Sequence, residues 1–263
     1  MGRRAAAKNN KEICRTTAFF VPREAISGDL VVFPPDEEHH LRDVLRLKSG
    51  AVVEVLDGCG GRYRVVVEQG PRGSDLVGRV LGVERVEAVK PLISVALSLG
   101  RRERIRMAVE KLAELGCHRI VPLLADNSSF QGNPGRQVEK LSLVCRSALK
   151  QSGNCFLTAV EPAAAFGDFA AEAVGRGIPL SFCVKDTGRS RRKNDPGRPT
   201  AGGDEYFLVI GPEGGFSSGE QALIDEMQAP RLHLGAADLR LETAAVAGFI
   251  LMRELLRRDL YFY

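Results

Sequence analysis

The chain reads Leu208-Val209-Ile210-Gly211-Pro212-Glu213-Gly214-Gly215-Phe216 and, shortly after, Leu234-Gly235-Ala236-Ala237-Asp238-Leu239-Arg240-Leu241-Glu242-Thr243-Ala244. Each stretch reads as an apolar strand running into a glycine-containing loop and then into a helix. Loops of this kind expose backbone N–H and C=O groups at strand ends, where open α/β sheets bind ligands. Two of them close together predict one small-molecule pocket built largely from main chain.

Working outward, Leu92–Leu99, Ile120–Leu124, Leu180–Val184, Tyr206–Ile210 and Arg231–Leu234 read as strands. Arg102–Leu115 carries apolar residues at Ile105, Val109, Leu112 and Leu115, a helical spacing. Val138, Leu141, Cys145 and Ala148 mark a second helical face ending near Gln151, and Leu241–Arg258 is the closing helix. Strands alternating with helices predict a mainly parallel α/β sheet. The upstream part differs. Leu30–Phe33, Val52–Leu56, Arg62–Glu68 and Leu76–Val86 read as strands, Glu38–Leu47 as a short helix, and Asp57–Gly61 as a hairpin turn. Several short strands without long helices predict a small β-barrel. The pattern changes at Val89-Lys90-Pro91. This sets two expected domains, residues 16–87 and 88–263.

The 263 residues are 44% hydrophobic and 27% charged, an ordinary globular balance. No apolar run approaches the ~20 residues of a membrane helix, and Met1–Arg15 has no apolar core of a secretory signal. No membrane association is expected. The six cysteines are Cys14, Cys59, Cys117, Cys145, Cys155 and Cys183. None are paired as C-x-x-C, and the four histidines have no metal-ligand spacing. They predict reduced thiols in a cytoplasmic protein and no metal site.

Net charge is only +4, but the basic residues cluster. Arg3, Arg4, Lys8, Lys11 and Arg15 form one group, and Arg101, Arg102, Arg104 and Arg106 a second. Lys185, Arg189, Arg191, Arg192, Lys193 and Arg198 form a third, in a loop rich in Arg, Gly and Pro. Such clusters fit a polyanion such as nucleic acid. A solvated surface is the plainer alternative.

Gly211–Gly215 does not fit the G-x-G-x-x-G dinucleotide pattern, and there is no P-loop. Gly215-Phe216-Ser217-Ser218-Gly219 does match the G-x-S-x-G nucleophile elbow of hydrolases. However, Gly211 to Phe216 separate the strand end from Ser217, which forms a helix capping box with Glu220 instead. Glu213 sits among glycines, where it could face a cationic ligand or simply solvate the loop. Arg240 and Glu242 flank Leu241 at a helix start. A helix N-terminus favours Glu and disfavours Arg, so Arg240 is the better functional candidate.

These two segments resemble the signature segments of the RsmE-type ribosomal RNA (uracil-N3)-methyltransferases of the SPOUT superfamily. His39-His40-Leu41-Arg42-Asp43-Val44-Leu45-Arg46-Leu47-Lys48-Ser49-Gly50 is similar to that family's N-terminal signature. Lys111-Leu112-Ala113-Glu114-Leu115-Gly116 and Gln151-Ser152 are similar to internal ones, in the same order. The matches extend over most of residues 19 to 258.

The resemblance implies a PUA-like β-barrel followed by a SPOUT-type α/β domain with a C-terminal trefoil knot, assembled as a homodimer. It implies S-adenosylmethionine as cofactor and a uridine of small-subunit ribosomal RNA, in the RNA or the 30S particle, as the substrate methylated at N3. Carried over, the cofactor site is Gly211, Pro212, Glu213, Gly214, Gly215, Leu234, Gly235, Leu239 and Leu241, with Lys185-Asp186-Thr187 as a third wall. Arg240 is expected to face the charge that develops on the uracil ring, with Glu242 as candidate base and Glu213 beside them. The chain departs from the family at two places. Asn127-Ser128-Ser129 lacks the family's usual arginine, and Asn154 stands where another is usual. Arg136 and Arg146 are local substitutes by sequence. Two alternatives stay open: a related methyltransferase with another RNA target, and a non-catalytic RNA-binding assembly factor.

Overall fold

The computed structural model describes residues 18–70, 76–184 and 203–260, with side chains to residue 257. Of these, the residues up to Glu87 together with Lys150–Phe156 form one unit. Ala88–Leu149 and the residues from Leu157 onward form the other. The basic N-terminal group, the third-wall segment Lys185-Asp186-Thr187 and the basic loop Arg189–Arg198 lie outside the described residues.

The first unit contains β1 (Ala18–Phe20), β2 (Ile26–Ser27), β3 (Leu30–Val32), β4 (Val52–Leu56), β5 (Gly61–Gln69) and β6 (Leu76–Arg85). They make one six-stranded sheet, in the order β1-β4-β5-β6-β3-β2. On β5, Gly61, Tyr63, Val65 and Val67 are buried, and the residues between them are not. This is the two-residue period of a half-buried strand. The inward side chains pack with Phe19, Val31, Phe33, Leu41, Val53 and Val55. A helix α1 (Pro35–His39) runs on as a π-helical turn, His40–Val44. It starts earlier and ends earlier than the expected Glu38–Leu47, because Pro35 occupies the first turn, where a missing N–H costs nothing.

The hairpin turn closes on a carboxylate. Asp57 is 2% exposed. It accepts from the Cys59 and Gly61 N–H groups, both at 2.8 Å, from Tyr63 Oη at 3.0 Å and from Arg85 Nη1 at 3.0 Å. Burial alone would push its acidity down, but these donors outweigh it and hold the carboxyl below its ordinary range. A carboxylate depressed in the folded state contributes stability that is complete above its unfolded value, about pH 4. That stability is lost as pH falls through the folded value. Asp57→Asn is therefore expected to cost about 1.5 kcal/mol at neutral pH and to flatten the acid limb of a urea-unfolding series. An unchanged acid limb would count against the network. Lys150–Phe156 joins this unit through Gly60 N donating to Cys155 O at 2.9 Å and Arg62 Nη2 donating to Gly153 O at 2.9 Å. The boundary expected near residue 88 does not foresee this excursion, since contact with a distant segment leaves no local pattern.

The second unit begins with β7 (Leu92–Ser98), α2 (Arg102–Glu114), β8 (Arg119–Leu124) and α3 (Pro134–Ser152). It continues with β9 (Ala159–Val160), β10 (Ala164–Ala165), α4 (Phe166–Gly175) and β11 (Leu180–Val184). It closes with β12 (Glu205–Ile210), α5 (Ser218–Glu226), β13 (Arg231–His233) and α6 (Leu241–Leu260). The sheet order is β10-β8-β7-β12-β11-β13, with β9 also on β8. Every pairing is parallel. Tyr206, Leu208 and Ile210 of β12 face a core shared with α2, α3 and α6. Phe207 and Val209 face the opposite core, with α4 and α5. The unit is thus a layered α/β fold with helices on both faces of a parallel sheet, as the alternation predicts.

Among the described residues, no helix is long and apolar enough to cross a membrane. Cys59, Cys117, Cys145, Cys155 and Cys183 are free thiols. Burial pushes Cys145 and Cys183 up to about 12, so neither is a thiolate at neutral pH.

Candidate active site

The strand β12 delivers Gly211 at the carboxyl edge of the sheet, and the loop that follows is held from several sides. Gly215 N donates to Pro212 O at 2.9 Å, which folds the loop back on itself. Gly215 has φ +75, a conformation that L side chains rarely adopt. Asn127 Nδ2 donates to Gly215 O at 3.0 Å from the loop after β8. Ser217 then caps α5. Its backbone N donates to Glu220 Oε2 at 2.8 Å, and its Oγ accepts from Glu220 N at 3.3 Å. Ser217 Oγ also donates to Asp126 Oδ2 at 2.6 Å. The hydroxyl is committed to a cap and a carboxylate, which leaves the hydrolase elbow without its nucleophile. Phe216 turns back under Gly211 and packs against Phe166 and Phe182, with ring centroids 4.9 and 6.3 Å away.

The second loop leaves β13, and Leu234 N donates to Val184 O at 3.3 Å. Gly235 has φ +102. The loop ends where α6 begins at Leu241, which is 5% exposed. The two loops and the end of β11 enclose a cavity of about 310 Å³. Its walls include Gly211, Pro212, Glu213 and Gly215 from the first loop, and Leu234, Gly235, Leu239 and Leu241 from the second. Among the described residues, its charged lining residues are Glu213 and Asp238, both carboxylates. A second cavity, of about 370 Å³, shares Pro212, Glu213 and Leu241 with the first. It reaches Gly100, Arg101 and Arg104 at the start of α2, and Asn127 and Ser129 after β8. Arg104 forms an ion pair with Glu213.

The sequence-predicted residues divide accordingly. Eight of the nine cofactor-site residues line the first cavity, whereas Gly214 lines the second. Arg240 is exposed and lines neither. Glu242 also lines neither, and its buried Oε2 has no hydrogen-bond partner. Asn127 and Ser129, from the segment that lacks the family's arginine, line the second cavity. Asn154 accepts from Phe156 N at 3.2 Å within the first unit. Arg136 and Arg146 line neither cavity; among the described residues, the cations that do are Arg101 and Arg104. In the sequence these two belong to a basic cluster that fits a polyanion, and nothing local joins the start of α2 to a loop a hundred residues on. It also missed Phe216 and Cys183 as cavity walls. A lone aromatic among glycines was the available signal for Phe216.

Residues 88–253 match the RNA methyltransferase domain, and residues 33–74 match the RNA methyltransferase PUA domain. The chain belongs to the RNA methyltransferase family. A ribosomal RNA small subunit methyltransferase E from Mycobacterium bovis is 30% identical, over 88% of this chain and 88% of that protein. The protein of that name from Synechocystis is 24% identical, over 95% of this chain and 81% of its own length. Among solved structures, the Neisseria gonorrhoeae ribosomal RNA small subunit methyltransferase E, determined with S-adenosyl methionine bound, superimposes with a TM-score of 0.75. That match covers 92% of this chain and 98% of the other at 22% identity, a likeness of fold. The family's two-part organisation accounts for an antiparallel-rich first unit and a parallel-sheet second unit in one chain.

Proposed function

We propose that the protein transfers a methyl group from S-adenosylmethionine to N3 of a uridine in small-subunit ribosomal RNA, acting as a cytoplasmic homodimer. The observation that carries this reading is the cavity where both signature loops meet at the carboxyl ends of β11, β12 and β13. The lining suits the cofactor. Ile210, Leu234, Leu239 and Leu241 offer apolar contact to a purine, and backbone groups at Gly211 and Gly235 offer fixed donors and acceptors. Asp238 adds a carboxylate to the lining, while Glu213 is already paired with Arg104. At Gly211 an added Cβ would meet the Phe216 ring at 2.7 Å, so the cradle is cut for a residue without a side chain. The reading also includes closure of the first unit's sheet into a PUA-like barrel and threading of the loops after β12 and β13 as a trefoil knot.

The bound cofactor supplies an electrophilic methyl group. The chain holds N3 in line with it, which accounts for much of the rate by orientation. Held by these loops, the cofactor would supply the methyl group for a new bond to N3, and the imide proton would leave. Glu242 has a buried oxygen without a hydrogen-bond partner but lines neither cavity, so the role of proton acceptor is not assigned to it. The test is radiolabelled methyl transfer to small subunits from cells lacking the protein, followed by nucleoside analysis. 3-Methyluridine is the expected product. Another methylated nucleoside would move the target, and cofactor binding without transfer would favour an assembly factor.

A further inference from the structure

We infer that the second cavity receives the acceptor uracil and that Arg104, not Arg240, is the cation that faces the ring. The inference rests on the methyl-transfer reading above and names the residue that serves it. Four observations carry it. The two cavities share Pro212, Glu213 and Leu241, so a base in the second lies beside a methyl donor in the first. At about 370 Å³, the second cavity is within the range of small-ligand pockets. Asn127 and Ser129 line it with polar groups, and its cations are Arg101 and Arg104. Arg104 is aimed at the shared wall by its pair with Glu213, and only 26% of its side chain is exposed.

The chemistry needs such a group. The N3 proton departs, and the electron pair it leaves, shared with the two flanking carbonyl oxygens, forms the N3–CH3 bond as the S–CH3 pair returns to sulfur. A guanidinium donating to one of those oxygens stabilises the ring anion on the way to transfer. Its planar fork suits a carbonyl beside an imide, and it keeps its charge throughout. Glu213 serves as a resting partner, holding the guanidinium at the wall until the base takes its place. Arg240 has no such position, being exposed and outside both cavities.

The experiment compares wild type, Arg104→Gln and Arg104→Lys on small ribosomal subunits, with binding of S-adenosylhomocysteine measured by calorimetry. Arg104→Gln is expected to lower kcat about 100-fold, the scale of a lost oxyanion donor, and to leave cofactor affinity within about threefold. Arg104→Lys should recover part of the rate, since it restores charge without the fork. The rate of Arg104→Gln should keep rising with pH where the wild-type rate has levelled, because the imide then ionises without assistance. Unchanged kcat in Arg104→Gln would overturn the inference. So would a rise in KM alone, which marks a phosphate contact, or a parallel loss of cofactor binding. Wild-type enzyme that forms no methylated uridine would strike the underlying reading instead.

Discussion

Gly211→Val is expected to weaken binding of S-adenosylhomocysteine about 300-fold, or roughly 3.4 kcal/mol, while the protein stays folded. An added Cβ at Gly211 would lie 2.7 Å from Phe216 Cε2 and 3.0 Å from its Cζ. A single ring edge on a mobile side chain would move aside at little cost. This ring is hemmed in by Phe166 and Phe182, themselves 1% exposed. The valine must therefore push into the cavity, where it removes volume and lifts the backbone from any ligand bound to it. Overpacking of this kind costs about 1–3 kcal/mol, and loss of the backbone hydrogen bond adds about 1 kcal/mol. Titration calorimetry reads the result directly. Affinity within threefold of wild type would show that the ligand does not use this cradle.

The second large effect concerns stability and changes sign with its surroundings. Gly248 lies within α6, where alanine is intrinsically better than glycine by about 1 kcal/mol. Even so, Gly248→Ala is expected to destabilise by about 2 kcal/mol. Its Cβ would fall 2.3 Å from Cys183 Sγ on β11 and 3.2 Å from Leu208 Cδ2 on β12. The close approach of α6 to the sheet behind the first cavity requires a residue with no side chain. At about 2–4 °C per kcal/mol for a chain of this size, the melting temperature drops by about 6 °C. In a Cys183→Ala background the sulfur is gone, and Gly248→Ala should become neutral or stabilising. A double-mutant cycle by thermal melts tests this. Additive effects would mean that helix and strand do not meet as described.

Much of this is legible in the chain because the relevant signals are local. The strands β7, β11 and β12 announce themselves as apolar runs, α2 by its helical spacing, and α5 by its Ser217–Glu220 box. The helix α4 has the same kind of spacing, with Phe166, Phe169, Ala170 and Ala173 buried, yet it is absent from the expected elements. Its short neighbours β9 and β10 have two residues each, too few for any periodicity. The walls of the first cavity follow from the family resemblance of the two loops, whose glycines mark where backbone must be bare. The cations were not. Arg240 drew notice because it sits badly with a helix dipole, and Arg104 did not because it belongs naturally to an amphipathic helix. Which of them reaches the pocket depends on how α2 and the loop after β12 come together in three dimensions, and that pairing leaves no trace in local sequence.

The position of β12 also bears on how the protein is made. It lies between β7 and β11, pairing Leu92 with Glu205 and Ile210 with Leu97. A chain emerging from the ribosome therefore completes β7 long before, and β11 shortly before, the strand that joins them exists. Until Glu205–Ile210 has been synthesised, β7 and β11 each present an apolar edge with unmatched backbone groups, the kind of edge that templates aggregation. Closing the sheet is a late, long-range event, slow by its topology. Translation products that stop short of β12 would be sticky fragments, not smaller working proteins, so the cell has reason to shield or degrade them.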